Sequence, residues 1–303
     1  MINKLDDMLK KLKGDKRVTL SVAAAHDEEV LLAIKSAVEM EIITPILIGQ
    51  EHKIRKISKE INFDLDNVKI INKETIEECA ETAVKLVSSG EADFVMKGLL
   101  DTSVILKAVL NKEWGLRTDS LLSHVMVYEI PSYDKLLVTT DGGMNIAPDY
   151  DQKVKILKNA IEATKPLGLK HIKVACLAAK EKVNSKMQAT VDARALQEAG
   201  ERGEFGKDVT VEGPLAFDLA VSKEAAKVKG FKSKVSGETD IMLMPTIEVG
   251  NGIGKALTYF AGAKSAGIIM GAKAPIVLVS RADSHQSKLY SIAYGSLIAG
   301  YNK

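Results

Sequence analysis

The chain reads as an α/β protein of two domains, each a mostly parallel sheet flanked by helices. Three features carry that reading. Short β-branched apolar runs recur along the whole length, they are apolar throughout rather than alternating, and stretches with helical spacing separate them. Continuous apolar strands belong to sheets covered on both faces, and strand-helix alternation implies parallel crossovers. With 303 residues, 46% of them hydrophobic, the chain is long for one core and rich enough for two.

A charged, helix-periodic opening precedes a strand over 17–25, which runs into His26-Asp27-Glu28-Glu29, an acidic first turn for a helix to about residue 39. Strands over 44–49 and 68–71 follow, then a helix over 75–88 closed by Gly90. The strand 93–96 opens into Lys97-Gly98, with Asp101-Thr102-Ser103 leading a helix over 104–110. A close-approach glycine, hydroxyls and a cation at a strand-to-helix junction suit a phosphate, and equally an ordinary capped turn. Strands over 121–127 and 135–140 join through a turn containing Pro131, and the lone His124 among apolar residues reads as a core histidine. Asp141-Gly142-Gly143-Met144-Asn145 suits a ligand approach or an interdomain hinge. A helix over 149–164 leads to a fresh strand at 172–177. The theme then repeats: helix 188–200, strand 209–214, a Gly213-Pro214 turn, helix 215–227, strand 241–245, helix 254–266, strand 275–279 and a last helix to about residue 299. That last helix is expected to pack on the first domain, which sets the domains at 1–145 plus 280–303 and at 146–279.

Composition narrows the chemistry. The net charge is +2, from 42 basic and 40 acidic residues, so no global field favours nucleic acid, while anionic small molecules stay open. Arginine occurs only at 17, 55, 117, 194, 202 and 281, and planar bidentate phosphate recognition is what Arg does and Lys does not. Cys79 and Cys176 stand far apart in no metal spacing and read as buried small hydrophobes of a reducing compartment. No secretory leader and no apolar run of membrane length is visible, so a cytoplasmic protein without membrane contact is expected.

The richest stretch is 274–288. Its apolar strand ends abruptly in Ser280, Arg281, Asp283, Ser284 and His285, and ligands of open α/β sheets bind outside the carboxyl ends of strands. Ser284 can cap the last helix, but capping does not explain Arg281. A second junction, 245–255, holds Gly250-Asn251-Gly252 and Gly254-Lys255; it resembles an anion cradle but fails both the P-loop and the dinucleotide fingerprint. No repeated carboxylate or His cluster points to a metal.

The blocks GPLAFDLAVS, DIMLMPTIEVGNGIGK and PIVLVSRAD, with VMKGLLDT, LLSHV and TTDGGMN upstream, resemble the phosphate acetyl/butyryltransferase family, most of all its butyryl branch, over nearly the whole chain. The resemblance implies a fold related to isocitrate and isopropylmalate dehydrogenases, with the active site in the interdomain cleft. It implies acyl exchange between CoA and inorganic phosphate by direct thiolate attack, with no acyl-enzyme. CoA and phosphate are then substrates, no cofactor or metal is expected, and the protein is a homo-oligomer, at least a dimer. It assigns Arg281 to the phosphoryl group and Ser280 as a donor to the carbonyl or thiol. The better-known acetyl branch carries an acid near the position of Ser287; here the thiol base falls to Asp283, His285 or another group, Asp283 being preferred. Lys97, Thr102, Ser123, Asn251, Lys255 and His285 are expected substrate contacts. The rivals are a phosphate acetyltransferase, a metal-dependent dehydrogenase of the same fold and a non-catalytic CoA or acyl-phosphate binding module.

Overall fold

A computed structural model gives the architecture and describes residues 1–279 and 283–301. In chain order the elements are α1 (Leu5–Leu12), β1 (Val18–Ala23), α2 (Glu28–Glu39), β2 (Ile43–Gly49), α3 (Glu51–Glu60), β3 (Lys69–Asn72), α4 (Ile76–Ser88), β4 (Phe94–Lys97), α5 (Thr102–Val109), β5 (Ser123–Glu129), β6 (Leu137–Thr140) and α6 (Tyr150–Thr164). They continue with β7 (Ile172–Leu177), α7 (Gln188–Glu201), β8 (Val209–Leu215), α8 (Phe217–Val221), α9 (Lys223–Val228), β9 (Ile241–Leu243), α10 (Ile247–Tyr259), β10 (Lys264–Met270), β11 (Ile276–Val277) and α11 (His285–Tyr301).

The chain folds into two compact units, one of residues 5–120 and 265–303, the other of 1–4 and 121–264. Both boundaries differ from the expected 1–145 plus 280–303 and 146–279. The β5–β6 hairpin belongs to the second unit because β6 pairs in parallel with β9, Val138 opposite Ile241. Residues 265–279 belong to the first because β11 pairs in parallel with β4, Val277 opposite Met96.

The first unit orders its strands β3-β2-β1-β4-β11-β10, parallel except for the antiparallel β10–β11 pair. Leu20, Leu31, Leu47, Phe94 and Tyr294 are fully buried. α11 is buried nearly all round and packs on α1, α2 and β4, which is what a helix without a polar face must do. Phe94 lies so close to it that a Cβ on Gly295 would come within 2.8 Å of the ring. The second unit orders β5-β6-β9-β7-β8, parallel except for β5–β6. Its core gathers Tyr128, Leu137, Leu177, Leu215, Met242 and Met244. A buried ion pair, Lys153 to Asp192 at 2.6 Å, stands beside Cys176 on a small cavity between α6, α7 and the ends of β7 and β9.

Several expectations are corrected. Gly213-Pro214 makes no turn, since β8 runs on to Leu215; a side chain at Gly213 would strike Cys176 at 2.7 Å. The helix expected over 215–227 is two, broken at Ser222, whose hydroxyl caps α9 by accepting from Ala225 N at 3.1 Å. α10 starts at Ile247 rather than Gly254, and β10 occupies what was read as its tail.

Candidate active site

In the first unit the parallel strands β2, β1 and β4 end level with one another: Ile48 stands opposite Ala23, and Ala23 opposite Lys97. β11 joins this edge one residue lower, at Met96–Val277, so the chain leaving β11 emerges beside Lys97. Lys97 is buried, and its ammonium donates to the carbonyls of Leu100 at 3.0 Å and Gly98 at 3.4 Å. Gly98 N donates to Ala23 O and Leu99 N to Ala24 O, each at 2.8 Å. A Cβ on Gly98 would sit 2.4 Å from Ala24 O. Its close approach therefore serves the chain's own loop. Thr102 is the first residue of α5, half-buried at the same edge.

Ser280 and Arg281, the expected catalytic pair, lie outside the described residues. The chain resumes at Asp283, and Ser284 caps α11 by accepting from Ser287 N at 3.3 Å. His285, exposed at the first position of α11, has its Nδ1 3.9 Å from Glu29. Two residues here escaped the sequence reading. Lys288 is buried, and its ammonium donates to the backbone carbonyl of Asp283, tying the turn to the first turn of α11. Its signal was visible as the only Lys, Arg, Asp or Glu between 285 and 301. His26, in the loop between β1 and α2, has a buried Nδ1 with no hydrogen-bond partner among the described residues, packed where a Cβ on Gly49 would come within 2.7 Å. Burial, helped by the Lys53 charge, lowers its pKa and favours the neutral imidazole.

The remaining expected residues lie on the second unit. Ser123 is fully buried and accepts from Asn159 Nδ2 at 2.9 Å, so it anchors β5. Asp141 ties together the loop that follows it. Its carboxylate accepts from Gly143 N (2.8 Å), Met144 N (2.9 Å), Asn145 Nδ2 (2.6 Å) and His124 N (3.2 Å), a shell that leaves the backbone loop no freedom. Gly250 packs on that loop, with a Cβ placed 2.6 Å from both Asp141 O and Gly142 Cα. The glycines read as an anion cradle are thus interior residues of α10. Asn251 donates to Gly142 O at 3.3 Å, and Lys255 is exposed one turn on. The structure gathers Lys97, Thr102, Asp283 and His285 on one unit and Ser123, Asn251 and Lys255 on the other.

The model of the phosphate acetyl/butaryl transferase family matches residues 4–83 and 73–295. The chain belongs to that family. Phosphate butyryltransferase of Clostridium acetobutylicum is 43% identical over 300 residues, 99% of each chain. Phosphate acetyltransferase of Thermotoga maritima is 42% identical over 287 residues, 95% of this chain and 96% of the relative. The crystal structure of a branched-chain phosphotransacylase from Enterococcus faecalis is 34% identical, with a TM-score of 0.82, covering 93% of this chain and 99% of that one. Family membership makes this chain an acyltransferase.

Proposed function

We propose that the chain exchanges an acyl group between CoA and inorganic phosphate, with butyryl-CoA plus phosphate giving butyryl phosphate plus CoA. The observation that carries the reading, beside family membership, is the β4–β11 register, which brings Lys97 beside the strand that leads into Ser280-Arg281. Starting from acyl phosphate and CoA, the reverse of the reaction as written, Asp283 takes the thiol proton, and the CoA sulfur attacks the acyl carbonyl. The carbonyl oxygen gathers negative charge near the hydroxyl of Ser280, and the carbon–oxygen bond to phosphate breaks with its electron pair leaving on phosphate. Arg281 holds that phosphate through two parallel N–H donors, and Lys97 adds positive charge at the same edge. Lys288 acts on Asp283 as a positioning residue through the turn it ties. Every charge the step develops is met by side chains, so the proposal includes no metal or cofactor. A cytoplasmic setting and a homo-oligomer complete the reading.

The Thermotoga relative's 42% identity, against 43% for the butyryltransferase, favours acetyl exchange as the second reading, because one or two methylenes change pocket affinity by only ~1–3 kcal/mol. The test of the phosphate site is Arg281→Ala and Arg281→Lys in steady state. A charge-assisted contact of ~1.5–3 kcal/mol predicts a roughly 10- to 100-fold loss in kcat/KM for phosphate in the alanine variant, with partial recovery in the lysine variant. Unchanged phosphate kinetics in Arg281→Ala would overturn the assignment.

A further inference from the structure

The end of β1 is built around one imidazole. Ala24 adopts a left-handed backbone, with φ 53°, a conformation that strains any residue carrying a Cβ. Hydrogen bonds hold it there from both sides: Ala24 O accepts from Leu99 N at 2.8 Å on the β4 side, and Ala25 N donates to Ile48 O at 2.9 Å on the β2 side. Asp27 N then donates to Ala25 O at 2.9 Å, and the Asp27 carboxylate caps α2 by accepting from Val30 N at 3.0 Å. The side chain of His26 makes no hydrogen bond in this turn. Fixing it against Gly49 carries a second cost, since its Nδ1 is sealed without a partner among the described residues. An apolar side chain of similar size would pack there without an unpaired nitrogen. Backbone strain and an orphaned nitrogen at one strand end mark a side chain kept for function.

The sealed nitrogen fixes where the proton sits. A neutral imidazole carries its proton on one nitrogen and only accepts at the other. A proton on Nδ1 would bury an N–H donor with nothing to receive it, so the proton belongs on Nε2. Burial disfavours the imidazolium, and the charges of Lys53 and His52 add to that, with Asp27 opposing them. Nε2 itself is not sealed, and it has no partner among the described residues. His26 thus offers one neutral N–H donor to a ligand. Its position says which ligand. Ala23 stands opposite Lys97, Ala24 bonds to Leu99, and α2, which starts just after His26, has Glu29 3.9 Å from His285 at the start of α11. The donor therefore lies on the strand edge where the acyl-exchange reading puts the phosphate, and Ser280 and Arg281 precede the neighbouring helix in the chain as His26 precedes α2. A phosphate oxygen whose charge Arg281 and Lys97 already balance takes a further donor without further charge.

We propose that His26 is a substrate-binding residue of the acyl exchange, donating from Nε2–H to an oxygen of the phosphate that Arg281 and Lys97 attend. The proposal rests on that reading, so one arm of its test does without turnover. In 15N-histidine spectra of the full chain, the resonance lost in His26→Gln is expected to be that of an Nε2–H tautomer and to shift when inorganic phosphate is added. In steady state, His26→Gln keeps an amide N–H close to the place of Nε2, whereas His26→Asn reaches only the place of Nδ1. A hydrogen bond to a charged oxygen predicts a KM for phosphate raised roughly tenfold or more in His26→Asn and His26→Leu, and within about threefold of the wild type in His26→Gln. The KM for butyryl-CoA stays unmoved in all three. The melting temperature of His26→Leu is not lowered, since leucine buries no unpaired nitrogen. Asparagine and glutamine variants that behave alike, or a KM change confined to butyryl-CoA, would overturn the proposal and leave acyl exchange standing. A wild type without phosphate-dependent CoA release would overturn that exchange, and a His26 resonance indifferent to phosphate would overturn the contact whatever the turnover.

Discussion

Glu238 stands between the ammonium groups of Lys173 and Lys223, and their hydrogen bonds pull its carboxyl down to about 2 from an ordinary 4.5. A carboxyl whose folded pKa is depressed contributes stability in full above its unfolded value and loses it as pH falls from about 4.5 toward 2. The site is half-exposed and screened by solvent, so the contribution is below ~1 kcal/mol. Glu238→Gln should therefore have a lower urea midpoint than the wild type at pH 7 and the same midpoint near pH 2. An equal gap at both pH values would show that the ion pairs are not its source. At this scale the sequence was legible where a residue type is scarce. Arg281 stood out as one of six arginines, and Ser284 as a cap that the structure shows capping. Ser123 and Asp141 were not legible in the same way, because their burial and their partners, Asn159 and the backbone of the 141–145 loop, depend on the tertiary fold.

Helix α10 shows at the scale of elements why periodicity fails. Three glycines in five positions, 250 to 254, lower helix propensity and look like a loop, yet the helix forms because two of them let it press against the Asp141 loop and Tyr128. Gly250→Ala drives a methyl into backbone that cannot yield, so it should destabilise the fold by ~1–3 kcal/mol and lower the melting temperature. An unchanged melting temperature would mean that the loop moves aside. The parallel strands were legible because their burial on both faces makes them uniformly apolar. β10 was not, since its Lys-Ser-Ala-Gly start continues a helical pattern, and α3 was not, since only Ile54 and Ser58 of its ten residues are buried.

At the scale of the molecule, a discontinuous unit had been anticipated, but its seams had not. The pairings that set them, β6 with β9 and β4 with β11, join residues about a hundred or more positions apart in the chain, and no local pattern reports a partner at that distance. Long family blocks succeeded where local patterns did not, because they specify many positions jointly, and they carried the acyltransferase reading before any geometry was available. No helix among the described residues is long and apolar enough to cross a membrane. The central claim is acyl exchange between CoA and phosphate, and the most direct test is CoA release from acetyl-, butyryl- and isobutyryl-CoA, with and without phosphate, read with a thiol reagent. The protein itself is silent in this assay, since Cys79 and Cys176 are buried and burial pushes the Cys176 thiol up to about 12. Phosphate-dependent release that favours the four-carbon substrates is the predicted result. Release from none of the three, or release indifferent to phosphate, would contradict it.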